Sequence, residues 1–259
     1  MVRPKKKLGQ HFLNNPEIAH QIVNSVQGFR NYERLLEIGA GTGVLSFLIL
    51  KREFDALFLD IDSESVGFLR KQLKEEEDRV VHGDFLKLDL DDLMGSDAFG
   101  IVGNFPYNIS SQIFFKVLEH RDRIPEVVCM LQKEVGDRLA SSHGSRAYGI
   151  LSVLLQTFYS IETLFDVGPE NFNPPPKVMS TVIRLTRNER TELPCDFSYF
   201  RKVVKQGFQN RRKTLRNALK PINLPVQLLD DPILSLRAEQ LTVDQFLDLS
   251  TRIEECQKN

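Results

Sequence analysis

Strand-sized apolar segments alternate with helical patterns along the N-terminal part of this 259-residue chain, and this alternation limits the fold more than any other feature. The strand candidates occupy residues 34–39, 56–61, 79–83, 100–104 and 126–131. The helical patterns lie at residues 44–52, 63–74, 110–120 and 133–141. Such alternation predicts an α/β fold in which a parallel sheet carries helices on both faces.

The pattern changes towards the C-terminus. A further apolar helix is expected at 147–158, and strand candidates follow near 159–167 and 178–187. Residues 188–196 are polar, and helical patterns without a convincing strand come after them. We therefore predict an α/β domain at residues 1–188 and a small all-helical C-terminal domain at residues 189–259.

Composition excludes several classes of protein. No apolar segment approaches the about 20 residues that span a bilayer, and no signal-peptide stretch follows the N-terminal lysines. Cys129, Cys195 and Cys256 are far apart, which argues against a disulfide framework and against a metal site. We expect a cytoplasmic protein with no membrane segment and no metal, and a monomer because no interface helix is obvious.

A glycine-rich turn follows the first strand candidate. Residues 35–45 (LLEIGAGTGVL) run from a strand through Gly39, Gly41 and Gly43 into an apolar helix. Glycines let a loop turn tightly and bring backbone N–H groups close to a ligand. The spacing is GxGxG, and Val44 stands where a dinucleotide-binding GxGxxG motif requires glycine. The loop, including Gly39 and Gly41, therefore predicts a site for a cofactor that has an adenosine but no pyrophosphate.

Two acidic residues end the next two strand candidates. Asp60 lies 21 residues after Gly39, where a carboxylate can accept hydrogen bonds from ribose hydroxyls. Asp84 directly follows the third strand candidate, where a carboxylate can accept a hydrogen bond from an adenine amino group. Solvated strand-end acids are the alternative interpretation. Three features at the ends of successive strands favour a nucleoside site.

The fourth strand candidate ends in NFPYNIS, residues 104–110. The N6 amine of adenine is a poor nucleophile because its lone pair is delocalised into the ring. Its two N–H groups can donate hydrogen bonds to the side-chain oxygen of Asn104 and to a backbone carbonyl held rigid by Pro106. These hydrogen bonds would aim the lone pair at a methyl group. Tyr107 is expected to stack on the base, and Phe172 is a second aromatic candidate for holding an extruded base. A plain structural turn is the alternative for the motif, and loop packing is the alternative for Phe172.

With these residues in place, the sequence resembles the small-subunit (16S) ribosomal RNA adenine N6,N6-dimethyltransferases. The matching segments cover essentially the whole chain: LGQHFL (8–13), EIGAGTG (37–43), LDID (59–62), GDF (83–85), NFPYNIS (104–110), MLQKEVGDRLAS (130–141), YGILSVLLQ (148–156), FNPPPKVMS (172–180) and FQNRRKTLRNAL (208–219). The resemblance implies a Rossmann-like S-adenosyl-L-methionine-dependent methyltransferase domain followed by a small helical domain. It implies dimethylation of two adjacent adenosines in a hairpin near the 3′ end of small-subunit rRNA, in a partly assembled 30S subunit.

The same resemblance implies a set of cofactor contacts. These fall on His11, Leu13, Gly39, Asp60, Asp84 and Asn104. Two positions depart from the usual pattern: Asp60 replaces a glutamate, and His11 stands where asparagine is common. Neither change removes a hydrogen-bonding group.

Three other functions stay open at this point. Large-subunit rRNA adenine methyltransferases of the macrolide-resistance type share the glycine loop and an N-x-P-Y turn, but they resemble this chain less in its middle segments. DNA adenine methyltransferases use a related turn, but no separate base-reading domain is evident here. A ribosome-assembly factor that mainly binds is the third alternative, although Asn104, Tyr107 and the glycine loop are intact.

Basic residues are concentrated in two places although the net charge is only −1. Residues 201–220 hold eight Lys or Arg and no acid. In a methyltransferase this favours binding of RNA phosphates over a solvated helix, with the strongest cluster at the start of a predicted helix at Arg211, Arg212, Lys213 and Arg216. An N-terminal arm with Lys5, Lys6 and Lys7 is a second RNA-binding candidate, for which a solvated tail is an equal alternative.

Overall fold

A computed structural model describes residues 2–258, apart from the side chain of Lys7, so the prediction for Lys7 lies outside the described residues. The chain divides into two compact units. The first contains Met1–Gly136 and Ser160–Arg187, and the second contains Asp137–Tyr159 and Asn188–Asn259. Residues 137–159, which we predicted within the first domain, thus belong with the second unit. The boundary between residues 188 and 189 stays a prediction.

The strands of the described chain follow the sequence pattern closely. They are β1 Phe12–Leu13, β2 Arg34–Ile38, β3 Asp55–Asp60, β4 Val80–His82, β5 Phe99–Asn104, β6 Glu126–Gln132, β7 Tyr159–Val167, β8 Phe172–Asn173 and β9 Ser180–Arg187. Seven of them form one sheet in the order β4-β3-β2-β5-β6-β9-β7, and β1 pairs with β8 in a separate two-stranded sheet. The predicted strands 34–39, 56–61, 79–83, 100–104 and 126–131 each match a strand of the large sheet.

The helices lie between these strands and after them. The α-helices are α1 Pro16–Asn24, α2 Ser46–Ile49, α3 Ser63–Leu73, α4 Leu90–Met94, α5 Ser110–Glu119, α6 Lys133–Ala140, α7 Ile150–Phe158, α8 Phe197–Gln209, α9 Leu215–Ala218 and α10 Val243–Lys258. Short 3-10 helices occur at Lys6–Leu8, Lys74–Arg79, Pro169–Asn171, Lys220–Ile222, Val226–Leu228, Pro232–Ser235 and Ala238–Gln240. Within residues 2–258, no helix is long and apolar enough to cross a membrane.

The large sheet is parallel in its first five strands and antiparallel where β9 joins it. β2 pairs in parallel with both β3 and β5, so the chain leaves β2 to one side for β3 and β4 and returns to the other side for β5. In open α/β sheets, ligands bind at such a switch point, outside the carboxyl ends of the strands. β9 pairs with β6 in antiparallel register, with Cys129 opposite Ile183, so the whole sheet is mixed, while its first five strands form the predicted parallel sheet.

The second unit is helical between residues 188 and 258. α7 packs against α8 and α10, because its apolar side chains are buried against the aromatic residues of those helices. Phe158 meets the ring of Phe197 edge-on at 5.6 Å between centroids, and Phe208 stacks on Phe246 at 5.8 Å. This packing explains why residues 137–159 belong to the second unit although they precede β7 in sequence.

Candidate active site

A cleft of about 690 Å³, including its open mouth, lies in the first unit at the carboxyl ends of β2, β3 and β5. Eight of the residues predicted from the sequence line it: His11, Gly39, Gly41, Asp60, Asp84, Asn104, Pro106 and Tyr107. A smaller hollow of about 300 Å³ shares Gly39, Gly41 and Asn104 with the cleft and contains Leu13 in its wall. The sheet topology therefore brings together residues that are far apart in sequence.

The glycine loop forms the floor of this cleft. Gly39 and Gly41 have φ values of 78° and 55°, in the left-handed region that favours glycine. A Cβ atom on Gly41 would lie 3.0 Å from a ring carbon of Phe12, so a side chain here would also require the Phe12 ring to shift. The N–H of Gly39 donates to the carbonyl of Leu59 at 2.8 Å, which ties the loop to β3.

Asp60 lines the cleft and also accepts a hydrogen bond from the glycine loop. Its carboxylate accepts the N–H of Gly41 at 2.7 Å and the N–H of Asp62 at 2.8 Å, and the residue is only 6% exposed. Burial raises the pKa of Asp60, although the two hydrogen bonds oppose this rise. The role of Asp60 in fixing the glycine loop was not predicted, because this contact depends on the pairing of β2 with β3.

Glu37 is a buried acid that was not among the predicted site residues. It is 2% exposed, lies in the wall of the smaller hollow, and accepts a hydrogen bond from the Ser46 hydroxyl at 2.6 Å. Burial raises the pKa of Glu37 to about 8, and the neighbouring charge of Asp60 adds to the rise. The available signal was a glutamate inside the otherwise apolar strand of LLEIG.

Glu37 predicts a pH-dependent stability. An exposed glutamate has a pKa near 4.5, whereas burial raises the pKa of Glu37 in the folded protein to about 8. Between these values the folded state binds more protons than the unfolded state, so stability falls as pH rises, by up to about 1.4 kcal/mol per pH unit. We expect urea unfolding to show this fall from pH 5 to pH 8, and Glu37→Gln to remove most of it. A folded Glu37→Gln variant with the wild-type pH dependence would contradict this assignment.

Asn104 ends β5 with its side-chain amide held in one orientation. Its Nδ2 donates to the backbone carbonyl of His11 at 2.9 Å. This bond uses the donor end of the amide and leaves the Oδ1 atom as the acceptor. The next residue, Phe105, is buried and donates its N–H to the carbonyl of Met130 at 2.9 Å, so the turn is anchored in the sheet.

Tyr107 is held at both its ring and its hydroxyl. The ring stacks on His11 with centroids 5.4 Å apart and an interplanar angle of 25°. The hydroxyl shares a hydrogen bond of 2.5 Å with the buried hydroxyl of Ser180, and burial raises the Tyr107 pKa. His11 is in turn fixed because its Nδ1 donates to the carbonyl of Pro174 at 2.8 Å. The ring of His11 therefore supports Tyr107, a role that the sequence did not indicate.

Phe172 differs from its prediction as a base-stacking residue. It is 3% exposed and belongs to the hydrophobic core, opposite Leu13 in the pairing of β8 with β1. Alternation along a strand sends neighbouring side chains to opposite faces, and here the exposed neighbour is Asn173. Sequence alone could not give this direction, because β1 and β8 are only two residues long.

Lys5 in the N-terminal arm already has partners within the first unit. Its ammonium forms an ion pair with Asp62 and lies 3.6 Å from a carboxylate oxygen of Glu64. The side chain of Gln10 also donates to Asp62, at 3.4 Å. These contacts hold the arm beside the cleft and differ from the predicted role of Lys5 in binding RNA, whereas Lys6 is exposed.

The predicted basic cluster is exposed on the second unit. Arg211, Arg212 and Lys213 lie in the turn after α8 and not at the start of a helix, while Arg216 lies in α9. Arg211 donates to the backbone carbonyls of Tyr148 at 2.6 Å and Arg146 at 2.8 Å. Arg211 therefore also stabilises the local backbone, and in this it differs from Arg212, Lys213 and Arg216.

A Rossmann-like sheet with a glycine loop, strand-end acids and an Asn-Phe-Pro-Tyr turn around one cleft defines the class of the protein as a methyltransferase. The family model described as ribosomal RNA adenine dimethylase matches residues 1–255, and the chain belongs to that family. The resemblance stated from the sequence is thereby confirmed.

Individual relatives agree with this family. The chain is 54% identical over 253 residues to a ribosomal RNA small subunit methyltransferase A of Cytophaga hutchinsonii, which covers 97% of this chain and 98% of the relative. The crystal structure of a dimethyladenosine transferase from Plasmodium falciparum is similar with a TM-score of 0.81 at 26% identity, over 95% of this chain and 98% of that one. A 23S rRNA methyltransferase, ErmE, has a TM-score of 0.71 at 22% identity, over 94% of this chain and 99% of that one, and shows likeness of fold alone.

Proposed function

We propose that this protein transfers methyl groups from S-adenosylmethionine to the N6 amines of two adjacent adenosines in a hairpin near the 3′ end of small-subunit rRNA. The observation that carries the proposal is the Asn104 amide, which the carbonyl of His11 orients at the end of β5 within the cleft. The substrate follows from the 54% identical relative, whose name specifies the small ribosomal subunit. We further propose a partly assembled 30S subunit as the partner, the cytoplasm as the location and a monomer as the active form.

The residues of the cleft suit S-adenosylmethionine. The carboxylate of Asp60 would accept the ribose hydroxyls, and that of Asp84 would accept the adenine amino group. Gly39 and Gly41 line the cleft, and because they have no side chains the ligand can approach their backbone closely. His11, Leu13 and Asn104 complete the surrounding wall. When bound, the cofactor supplies a methyl group already activated on a sulfonium.

The residues at the end of β5 would orient the target amine. The two N–H groups of the adenine N6 amine would donate hydrogen bonds to Asn104 Oδ1 and to the backbone carbonyl of Phe105, which the ring of Pro106 holds in place. The lone pair is then localised on nitrogen and directed at the methyl carbon. The bound cofactor would supply the methyl group and keep the electron pair of its bond to the methyl carbon, and the proton that the amine loses would pass to water. Tyr107 stacks on the base, so that orientation replaces general base catalysis.

Substrate choice tests this proposal. The protein is incubated with S-adenosylmethionine labelled in its methyl group and with undermethylated small subunits, mature small subunits, large-subunit RNA or DNA. We expect label in the undermethylated small subunits. Label mainly in large-subunit RNA or in DNA would contradict the proposed substrate, and subunit binding without label would favour an assembly factor.

We propose that three residues of the exposed basic cluster of the second unit, Arg212, Lys213 and Arg216, bind RNA phosphates, with Lys6 as a weaker contributor. Reversing the three cluster residues to glutamate should weaken subunit binding and flatten its salt dependence. Each neutralised phosphate contributes a slope of about 0.9 in log affinity against log salt on a duplex, and less on a single strand. Arg211 is left unchanged because it also holds the carbonyls of Tyr148 and Arg146. Subunit affinity is measured at several salt concentrations.

The matched control reverses three exposed lysines of the first unit, namely Lys51, Lys71 and Lys74. This control changes the net charge by the same amount and should keep the wild-type salt slope. Affinity for free S-adenosylmethionine should stay near the wild-type value in both variants. A folded cluster variant with the wild-type slope would mean that the cluster is only solvated.

A further inference from the structure

Asp84 is carried by a short closed loop after β4. The N–H groups of Lys87 and Leu88 donate to the Asp84 carbonyl at 2.9 and 3.0 Å. The N–H of Leu86 donates to the Asp84 carboxylate at 3.0 Å. These bonds make residues 84–88 a single turn, so the position of the carboxylate depends on the position of the whole turn.

Lys116 of α5 reaches this turn from outside it. Its ammonium donates to the backbone carbonyl of Phe85 at 2.7 Å and also to the carbonyl of Leu88. It lies 5.2 Å from the centroid of the Phe85 ring, and that ring is buried. One side chain thus holds both ends of the turn and the aromatic residue next to Asp84.

The charge of Lys116 is part of this arrangement. Burial lowers the Lys116 pKa, and the nearby carboxylates of Glu119, Asp89 and Asp84 oppose that effect. Hydrogen bonds from an ammonium to carbonyls are stronger than those between neutral groups. A neutral side chain of similar length would fill the same space but would leave both carbonyls without this donor.

We infer that Lys116 is a positioning residue for recognition of the cofactor's adenine: by holding the carbonyls of Phe85 and Leu88, it directs the Asp84 carboxylate at the adenine amino group. This inference rests on the proposed function, in which Asp84 accepts that amine. It adds a residue that does not line the cleft. Asp84 would contact the ligand, whereas Lys116 would act only on the position of Asp84.

The test compares two ligands that differ at the position Asp84 is proposed to recognise. S-adenosylhomocysteine carries the amino group, whereas S-inosylhomocysteine carries an oxygen that repels a carboxylate. We expect the wild type to prefer the adenosyl ligand in calorimetric titrations. Lys116→Met should lose about tenfold in affinity for the adenosyl ligand, about 1.4 kcal/mol, and much less for the inosyl ligand. In the same variant, the amides of Lys87 and Leu88 should exchange hydrogen faster.

Lys87→Met is the matched control. Its ammonium lies 3.7 Å from the same Asp84 carboxylate, but the side chain is 84% exposed and such pairs contribute little. Both variants remove one positive charge near Asp84, and Lys87→Met should keep the wild-type preference. Lys116→Arg, which keeps the charge, should retain part of the preference and serves as the test if Lys116→Met does not fold.

Asp84→Asn separates this inference from the proposed function. If Asp84 recognises the amine, this variant loses the preference for the adenosyl ligand. A wild-type preference in Asp84→Asn would overturn the adenine contact and the inference together. If Asp84→Asn loses the preference while folded Lys116→Met keeps it, or loses affinity equally for both ligands, only the inference is overturned. A selective loss in Lys116→Met with no loss in Lys87→Met is the result expected.

Discussion

Replacing Asn104 with alanine should lower the rate of methyl transfer by a factor of about 10²–10³. The variant loses the acceptor that holds one N–H of the target amine, and it also loses the bond to the His11 carbonyl that orients the amide. The expected loss is in kcat, because orientation matters most when the methyl group is transferred. Single-turnover rates with saturating cofactor and undermethylated subunits measure it.

Two further variants make this test specific. Asn104→Asp keeps an acceptor but places an oxygen against the His11 carbonyl, so it should also be strongly impaired. Asn108→Ala changes an exposed asparagine of the same turn and should remain active. An Asn104→Ala variant that binds cofactor and keeps near-wild-type turnover would show that amide orientation is not the basis of catalysis.

Replacing Asp60 with alanine should weaken S-adenosylmethionine binding by about 10²-fold, which is about 2.7 kcal/mol. The carboxylate would lose its proposed ribose contact, and the N–H of Gly41 would lose its acceptor at 2.7 Å. A buried donor without a partner is costly, so the glycine loop should also become less ordered. The dissociation constant from calorimetry measures the effect, while kcat at saturating cofactor should change much less.

The conservative variants of Asp60 distinguish its two roles. Asp60→Asn must place an amide N–H₂ against one of the two backbone donors, so it should lose affinity almost as far as alanine. Asp60→Glu keeps a carboxylate and introduces the glutamate that the resemblance leads us to expect at this position, so it should retain most of the affinity. An unchanged dissociation constant in folded Asp60→Ala would remove Asp60 from the cofactor site.

The strands that build the site could be predicted because each is a short apolar run with clear boundaries. Gly39, Asp60 and Asn104 follow from this pattern, since the carboxyl ends of neighbouring parallel strands meet at one edge of a sheet. The helix expected at 44–52 is shorter, with α2 at Ser46–Ile49 and turns on either side. Hydrophobic periodicity alone does not distinguish successive turns from a regular helix.

The features that escaped prediction depend on contacts distant in sequence. Phe172 is buried because β8 pairs with β1, across more than 150 residues. The ring of His11 reaches Tyr107, and Lys116 reaches the turn of Asp84, only once the strands are assembled. The sequence places Lys5 in a solvated or RNA-binding arm. Its ion-pair partner, Asp62, lies beyond the glycine loop in sequence, so this contact forms only in the folded chain. Residue type and spacing do not predict such contacts.

We propose that the oriented amide at Asn104 directs methyl groups to the exocyclic amine of adenine in small-subunit rRNA. The most direct measurement treats undermethylated small subunits with the protein and S-adenosylmethionine. Mass spectrometry of a nucleoside digest identifies the modified base, and mass spectrometry of an oligonucleotide digest of the same RNA locates it. We expect N6,N6-dimethyladenosine at two adjacent positions of one hairpin near the 3′ end, and almost none with Asn104→Ala. A methyl group on a ring nitrogen, on a ribose oxygen or on another base, or equal product from Asn104→Ala, would contradict it.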